Sequence, residues 1–131
     1  MKKTSYLLVV FVVLTITACK STILMPQYPN QDIAQYGQNK STLESVEKSI
    51  VKAAISLGWK AEKQTDGEIK ATLNIRKHQL IILIKYDDNS FSIDYVDSTN
   101  LKKKGNKIHR QYANWVGNLI RAINVQNISS S

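Results

Sequence analysis

Apolar and polar positions change their spacing several times along the chain. Residues 6–14 form an unbroken apolar run, Tyr6 to Leu14, preceded by Lys2 and Lys3 and followed, after Cys19, by Lys20, Ser21 and Thr22. Residues 20–40 show neither a 3.6 nor a 2 period and hold both prolines, Pro26 and Pro29. Leu43, Val46, Ile50, Ala54 and Leu57 then recur at three and four, which predicts a helix over residues 41–57. Ser41 with Glu44 is its expected capping pair and Gly58 its left-handed stop. A period of 2 follows. Residues 59–64 make a first strand and Asp66-Gly67 a hairpin turn, after which Ile69, Ala71, Leu73 and Ile75 alternate with polar neighbours. After a turn at residues 77–79, residues 80–86 are apolar on both faces and predict the central strand. Asp87-Asp88-Asn89-Ser90 is turn chemistry, and Phe91, Ile93 and Tyr95 mark a last strand. Residues 97–107 are expected as a loop. Ile108, Tyr112, Trp115, Leu119 and Ile123 return to helical spacing over residues 108–124.

These elements predict an α+β domain: a helix, a four-stranded antiparallel meander and a second helix, with both helices on one face of the sheet. Ile81 and Leu83 would then point out of the other face, where apolar groups of residues 20–40 such as Ile23, Leu24 and Ile33 are one candidate cover. The expected organisation is a leader at 1–18, a tether at 19–40, one domain at 41–124 and a disordered tail at 125–131. The tether is read as mostly mobile and long enough to hold the domain some tens of ångströms from a bilayer. It carries too many apolar groups to be wholly solvated, however, so part of it is expected to pack on the domain or at a membrane.

Composition narrows the chemistry. Without residues 1–18 about 113 of the 131 residues remain, the size of one ordinary domain. The formal charge of +8 falls to about +6 when Lys2 and Lys3 leave, a balance that suits acidic partners. The densest positive stretch is Lys102-Lys103-Lys104-Gly105-Asn106-Lys107 with Arg110 beyond it. It reads either as a solvated loop or as a contact for phosphate on lipid or glycan. Cys19 is the sole cysteine, so a disulfide within the monomer is excluded, and no base lies near it in sequence. His78 and His109 lack the spacing of a metal pair, so no metal and no cofactor is expected. Asp87 and Asp88 read as turn formers rather than an acid/base couple. Tyr112, Trp115 and Trp59 read as core anchors.

A basic start, an apolar run and small residues before a break have the grammar of an export signal. The run is shorter than the roughly 20 residues a spanning helix needs. Ile16-Thr17-Ala18-Cys19 resembles the lipobox of bacterial lipoproteins. That resemblance implies cleavage between Ala18 and Cys19, a diacylglyceryl group on the Cys19 sulfur and acylation of its amine. Lys20 stands where inner-membrane lipoproteins of enteric bacteria often carry Asp, which by resemblance implies the outer membrane, facing the periplasm. A second resemblance lies in Gly58-Trp59, the Asp66-Gly67 turn, residues 91–95 and 97–101, Ile108-His109, Tyr112, Trp115-Val116 and Asn118-Leu119. Together these resemble a group of small, uncharacterised bacterial envelope lipoproteins, which implies a fold and an address but no activity. Arg110 and Ala113 stand where members often carry Pro and Asn, so no role carries over at those two positions.

The functional expectation is a membrane-anchored, non-enzymatic binding or assembly accessory of the envelope. Its expected partners are the membrane through Cys19 and anionic lipid, lipopolysaccharide, peptidoglycan or an envelope protein, with no nucleic acid. The alternative is a small periplasmic hydrolase or ligand carrier with a pocket near His109 and Tyr112.

Overall fold

The computed structural model describes residues 21–129; Cys19, the leader expected at 1–18 and the last two serines lie outside the described residues. The elements run β1 Thr22–Leu24, β2 Tyr28–Asp32, α1 Leu43–Ser56, β3 Trp59–Thr65, β4 Glu68–Ile75, β5 His78–Tyr86, β6 Ser90–Thr99, β7 Lys107–His109 and α2 Gln111–Ser129. The expected four-stranded meander under two helices is not what forms. Among the described residues there are two antiparallel sheets, one of five strands in the order β2-β6-β5-β4-β3 and a separate ribbon of β1 with β7.

The reason lies in the bare edge that a four-strand meander would leave. The outer side of β6 would present a row of unpaired N–H and C=O groups. Residues 28–32 cover it: Tyr28 pairs with Ile93, Gln31 with Phe91 and Asp32 with Ser90, with a register shift between Tyr28 and Gln31. Pro29 sits in that irregular stretch of an edge strand, a position that tolerates a residue without an N–H. Most of the segment read as a tether is thus part of the fold. Ile33 is buried in the core, and Met25 and Tyr28 pack against it.

The meander itself follows the alternation. Ile69, Ala71 and Leu73 of β4 and Leu80, Ile82, Ile84 and Tyr86 of β5 are buried, while Ile81 and Leu83 are only half-buried. β6 is longer than expected because a bulge opposite Ile81 and Ile82 absorbs Val96 and carries the strand to Thr99. The two-residue turn at Asp66-Gly67 needs a positive φ of 83° at Gly67, and a Cβ there would stand 3.0 Å from the Tyr86 carbonyl oxygen. Only glycine fits this turn.

α1 buries Val46, Ser49, Ile50, Ala53 and Ala54 and packs on α2, β3 and β5. Its cap is one residue later than the spacing suggested. The Thr42 hydroxyl accepts from the Ser45 N–H at 3.1 Å and the Ser45 hydroxyl accepts from the Thr42 N–H at 2.8 Å. Glu44 is left free to pair with Lys48 at 2.9 Å on the outside. α2 also differs at both ends. Ile108 belongs to β7, not to the helix, and the helix runs on to Ser129 instead of fraying after residue 124. Asn127 fixes that end: its amide donates to the Ala34 carbonyl at 2.8 Å and the Ser41 hydroxyl at 2.9 Å, and its oxygen accepts from Ser49 at 3.3 Å. Asn124 supplements this by accepting the Ala34 N–H at 2.9 Å.

Candidate functional site

The loop expected over residues 97–107 is a built structure. Leu101 and Ile108 are buried and hold its two ends, and the His109 N–H donates to the Leu101 carbonyl at 2.7 Å. Between them Lys104 and Lys107 exchange backbone hydrogen bonds at 2.9 and 3.0 Å around Gly105-Asn106. Asn100 and Lys102 take left-handed φ values of 59° and 51° to make the bends. The lysines are therefore presented by a short ribbon rather than by a solvated coil.

β1 completes the ribbon from the other end of the chain. Thr22 pairs with His109, Ile23 with Ile108 and Leu24 with Lys107, and the Met25 N–H donates to the Asn106 carbonyl at 2.7 Å. Ser21 is gripped twice: its carbonyl accepts from the Arg110 N–H at 3.0 Å and its hydroxyl from the Lys102 ammonium at 3.0 Å. The Lys103 ammonium lies 5.4 Å from the centre of the Tyr95 ring, a cation–π contact, and also donates to the Gly105 carbonyl. Tyr95 is packed in turn on Tyr112, whose other neighbour is Tyr28, with ring centres 6.1 and 6.2 Å apart. Burial and these neighbours push the Tyr112 hydroxyl up to about 12. Tyr112 is thus a core residue in a tyrosine cluster.

All five cations singled out in the sequence, Lys102, Lys103, Lys104, Lys107 and Arg110, are exposed, and among the described residues none pairs with a carboxylate. Two more cations join them that the sequence reading left aside. Asn100 donates to the Lys77 carbonyl at 2.7 Å, and its own carbonyl bonds to His78 Nδ1 at 2.9 Å. This ties the β4–β5 turn, with Arg76 and Lys77, to the same end of the sheet. The clue was the register, in which Ile75 pairs with His78 and Gln79 with Thr99, so that turn must lie beside the segment after β6.

His109 acts at the start of α2. Its Nδ1 accepts the Gln111 N–H at 3.1 Å, satisfying one of the helix's orphan donors. Desolvation, aided by Lys102, His78 and Arg110, lowers its pKa below the usual 6.5 and keeps the acceptor form. His78 instead lies against Trp115, ring centres 6.1 Å apart.

The opposite end has a different network. The Tyr86 hydroxyl donates to Glu47 Oε2 at 2.7 Å, and Lys63 bridges Glu47 at 3.0 Å and Asp66 at 3.1 Å. Burial, then Glu47, pushes Tyr86 up to about 12, while the Tyr86 and Lys63 hydrogen bonds hold Glu47 below its usual value. An open depression of about 360 Å³ adjoins it, with Asp66, Gly67, Tyr86, Asp87 and Ser90 among its walls. Asp87 there accepts the N–H groups of Asn89 and Ser90 at 2.8 and 2.7 Å, the work of a turn former. Comparison with protein-family models, curated proteins and solved structures returned no match.

Proposed function

We propose that this chain is a lipid-anchored protein of the bacterial envelope that works by binding rather than by catalysis, with the outer membrane, facing the periplasm, as its address. The signal grammar of residues 1–18 and the cysteine at their end support the anchor. Two or more acyl chains hold a protein where one alone binds only marginally. The observation that carries the binding role is the lysine ribbon with the adjoining β4–β5 turn: seven exposed cations at one end of the domain that pair with no carboxylate among the described residues. Such a surface suits phosphate-bearing lipid or glycan. The reading of a hydrolase or carrier at His109 and Tyr112 has less support, because the Tyr112 side chain is enclosed by Tyr28 and Tyr95 and His109 is engaged in starting α2.

The test of the anchor is mass spectrometry of the mature N-terminus with acyl labelling in the native bacterium. Wild type should carry thioether-linked lipid at Cys19, and Cys19→Ser should accumulate as an unprocessed precursor. A cleaved, unmodified N-terminus would sink the anchor. Crosslinking in the intact envelope then asks for the partner, and recovery of a turned-over small molecule instead would favour the carrier reading.

A further inference from the structure

The fold begins almost at the anchor. Ser21 already accepts hydrogen bonds from Lys102 and Arg110. Only two residue steps separate it from Cys19, and an extended chain covers at most about 7 Å in that distance. A lipid on Cys19 therefore cannot suspend this domain tens of ångströms away. Whatever surface surrounds Ser21 must rest on the bilayer.

That surface is the positive end of an electrically polar molecule. The register places Arg76, Lys77, Lys102, Lys103, Lys107 and Arg110 at the end where the chain enters. The start of α2, which has no acidic residue in its first turn, lies there too and adds its positive dipole end. Most of the acids lie at the other end, some paired there with Lys48 and Lys63, while Asp97 stands near the cationic end opposite Ile81. Asp66 and Glu68 lie at one hairpin tip, Asp87 and Asp88 at the next, and Glu44 and Glu47 in the first turns of α1. Leu24, 66% exposed, pairs with Lys107 on the ribbon and puts one apolar side chain among the cations. A cationic face with a protruding leucine matches a headgroup layer carrying phosphate charge.

We propose that the β1–β7 ribbon and the adjoining β4–β5 turn form the membrane-facing surface, seated on anionic lipid headgroups of the bilayer that holds the acyl chains. The acidic hairpin tips then point away from it. This rests on Cys19 being lipidated. Each cation near an anionic surface strengthens binding about fivefold, so the contact weakens with salt within a Debye length.

The experiment uses the full lipidated protein reconstituted in vesicles of phosphatidylcholine with about 30% phosphatidylglycerol. The thiol of Cys19 is blocked by its lipid, so a single introduced cysteine can carry a fluorophore. Asn106→Cys reports on the ribbon and Asp88→Cys on the far end. A quencher borne on the lipid headgroup should act at least about threefold more strongly on the label at Asn106. Replacing Lys102, Lys103, Lys104 and Lys107 with Ser in the Asn106→Cys protein, or using pure phosphatidylcholine, should lower that ratio but leave it above one, because the short link to Cys19 still keeps the ribbon near the bilayer. Equal quenching at both labels in lipidated protein, or stronger quenching at Asp88, would overturn the orientation and leave the anchor standing. Absence of lipid on Cys19 by mass spectrometry would overturn both. Protection of the Asn106 label in cells but not in anionic vesicles would overturn the lipid assignment in favour of a glycan or protein partner.

Discussion

Single side chains fix the places where the spacing of apolar residues is silent. Asn127 is nearly sealed from solvent and ties α2 to Ala34, Ser41 and Ser49. Asn127→Ala takes a donor from the Ala34 carbonyl and the Ser41 hydroxyl, while Ser49 keeps its 2.9 Å bond to the Ser45 carbonyl, and should cost about 1–3 kcal/mol in urea unfolding. The Tyr86 hydroxyl contributes similarly at the other end. Tyr86→Phe removes its 2.7 Å bond to Glu47, and a stability loss of about 1 kcal/mol is expected, with the Glu47 carboxyl returning towards its ordinary range by NMR titration. No sequence pattern announces either residue. An asparagine in a Ser/Asn-rich tail looks like fraying, and a tyrosine ending a strand does not say which helix its hydroxyl will reach. His109, just ahead of the helical stripe, is placed to accept a helix-start N–H and does so from Gln111.

At the scale of elements, long periodic segments were legible and short ones were not. β4 alternates over eight residues, β5 carries a continuous apolar run from Leu80 to Ile84, and α1 and most of α2 keep their stripes. β1 and β7 have three residues each, too few for any period to show, and β2 contains Pro29 and a register shift. Their signal was excess apolar content: Ile23, Ile33 and Ile108 each find a strand partner or the core. Ile108 also fits the α2 stripe, which is why periodicity alone extends that helix too far. A chain beginning at Ser41 would keep every element the spacing predicts yet leave the β6 edge and the Ile108 flank uncovered. It should lose cooperative unfolding or self-associate, measurable by light scattering and urea titration, whereas the chain from Ser21 should be monomeric. Gly67→Ala tests the tightest turn. A Cβ 3.0 Å from the Tyr86 carbonyl oxygen at φ 83° should cost at least about 1–2 kcal/mol.

For the whole molecule, stability should fall on acidification in two stages. His109 has a folded pKa below 6.5, so the unfolded chain binds the extra proton; its contribution is complete above 6.5 and is lost as pH falls from there through the lower folded value. Glu47 and Asp87, held below their ordinary 4.5 and 3.8, contribute above those values and are lost at lower pH. Urea midpoints from pH 8 to 3 should show both stages. His109→Asn, which retains an acceptor for the Gln111 N–H, should flatten the upper one only. The five cations of the ribbon were visible in the sequence, but their convergence with Arg76, Lys77 and the point of chain entry depends on register, which no local pattern encodes. The double grip on Ser21 also has a mechanical side. A pull on the N-terminus loads β1 at the end where it meets Arg110, so its bonds to β7 open one after another, like a zipper, instead of sharing the force. Peeling residues 21–25 would pay out about 17 Å of chain before β2 is reached. Residues 21–25 would thus behave as a short leash, closed at rest and paid out under tension, and single-molecule pulling should register that small step ahead of global unfolding.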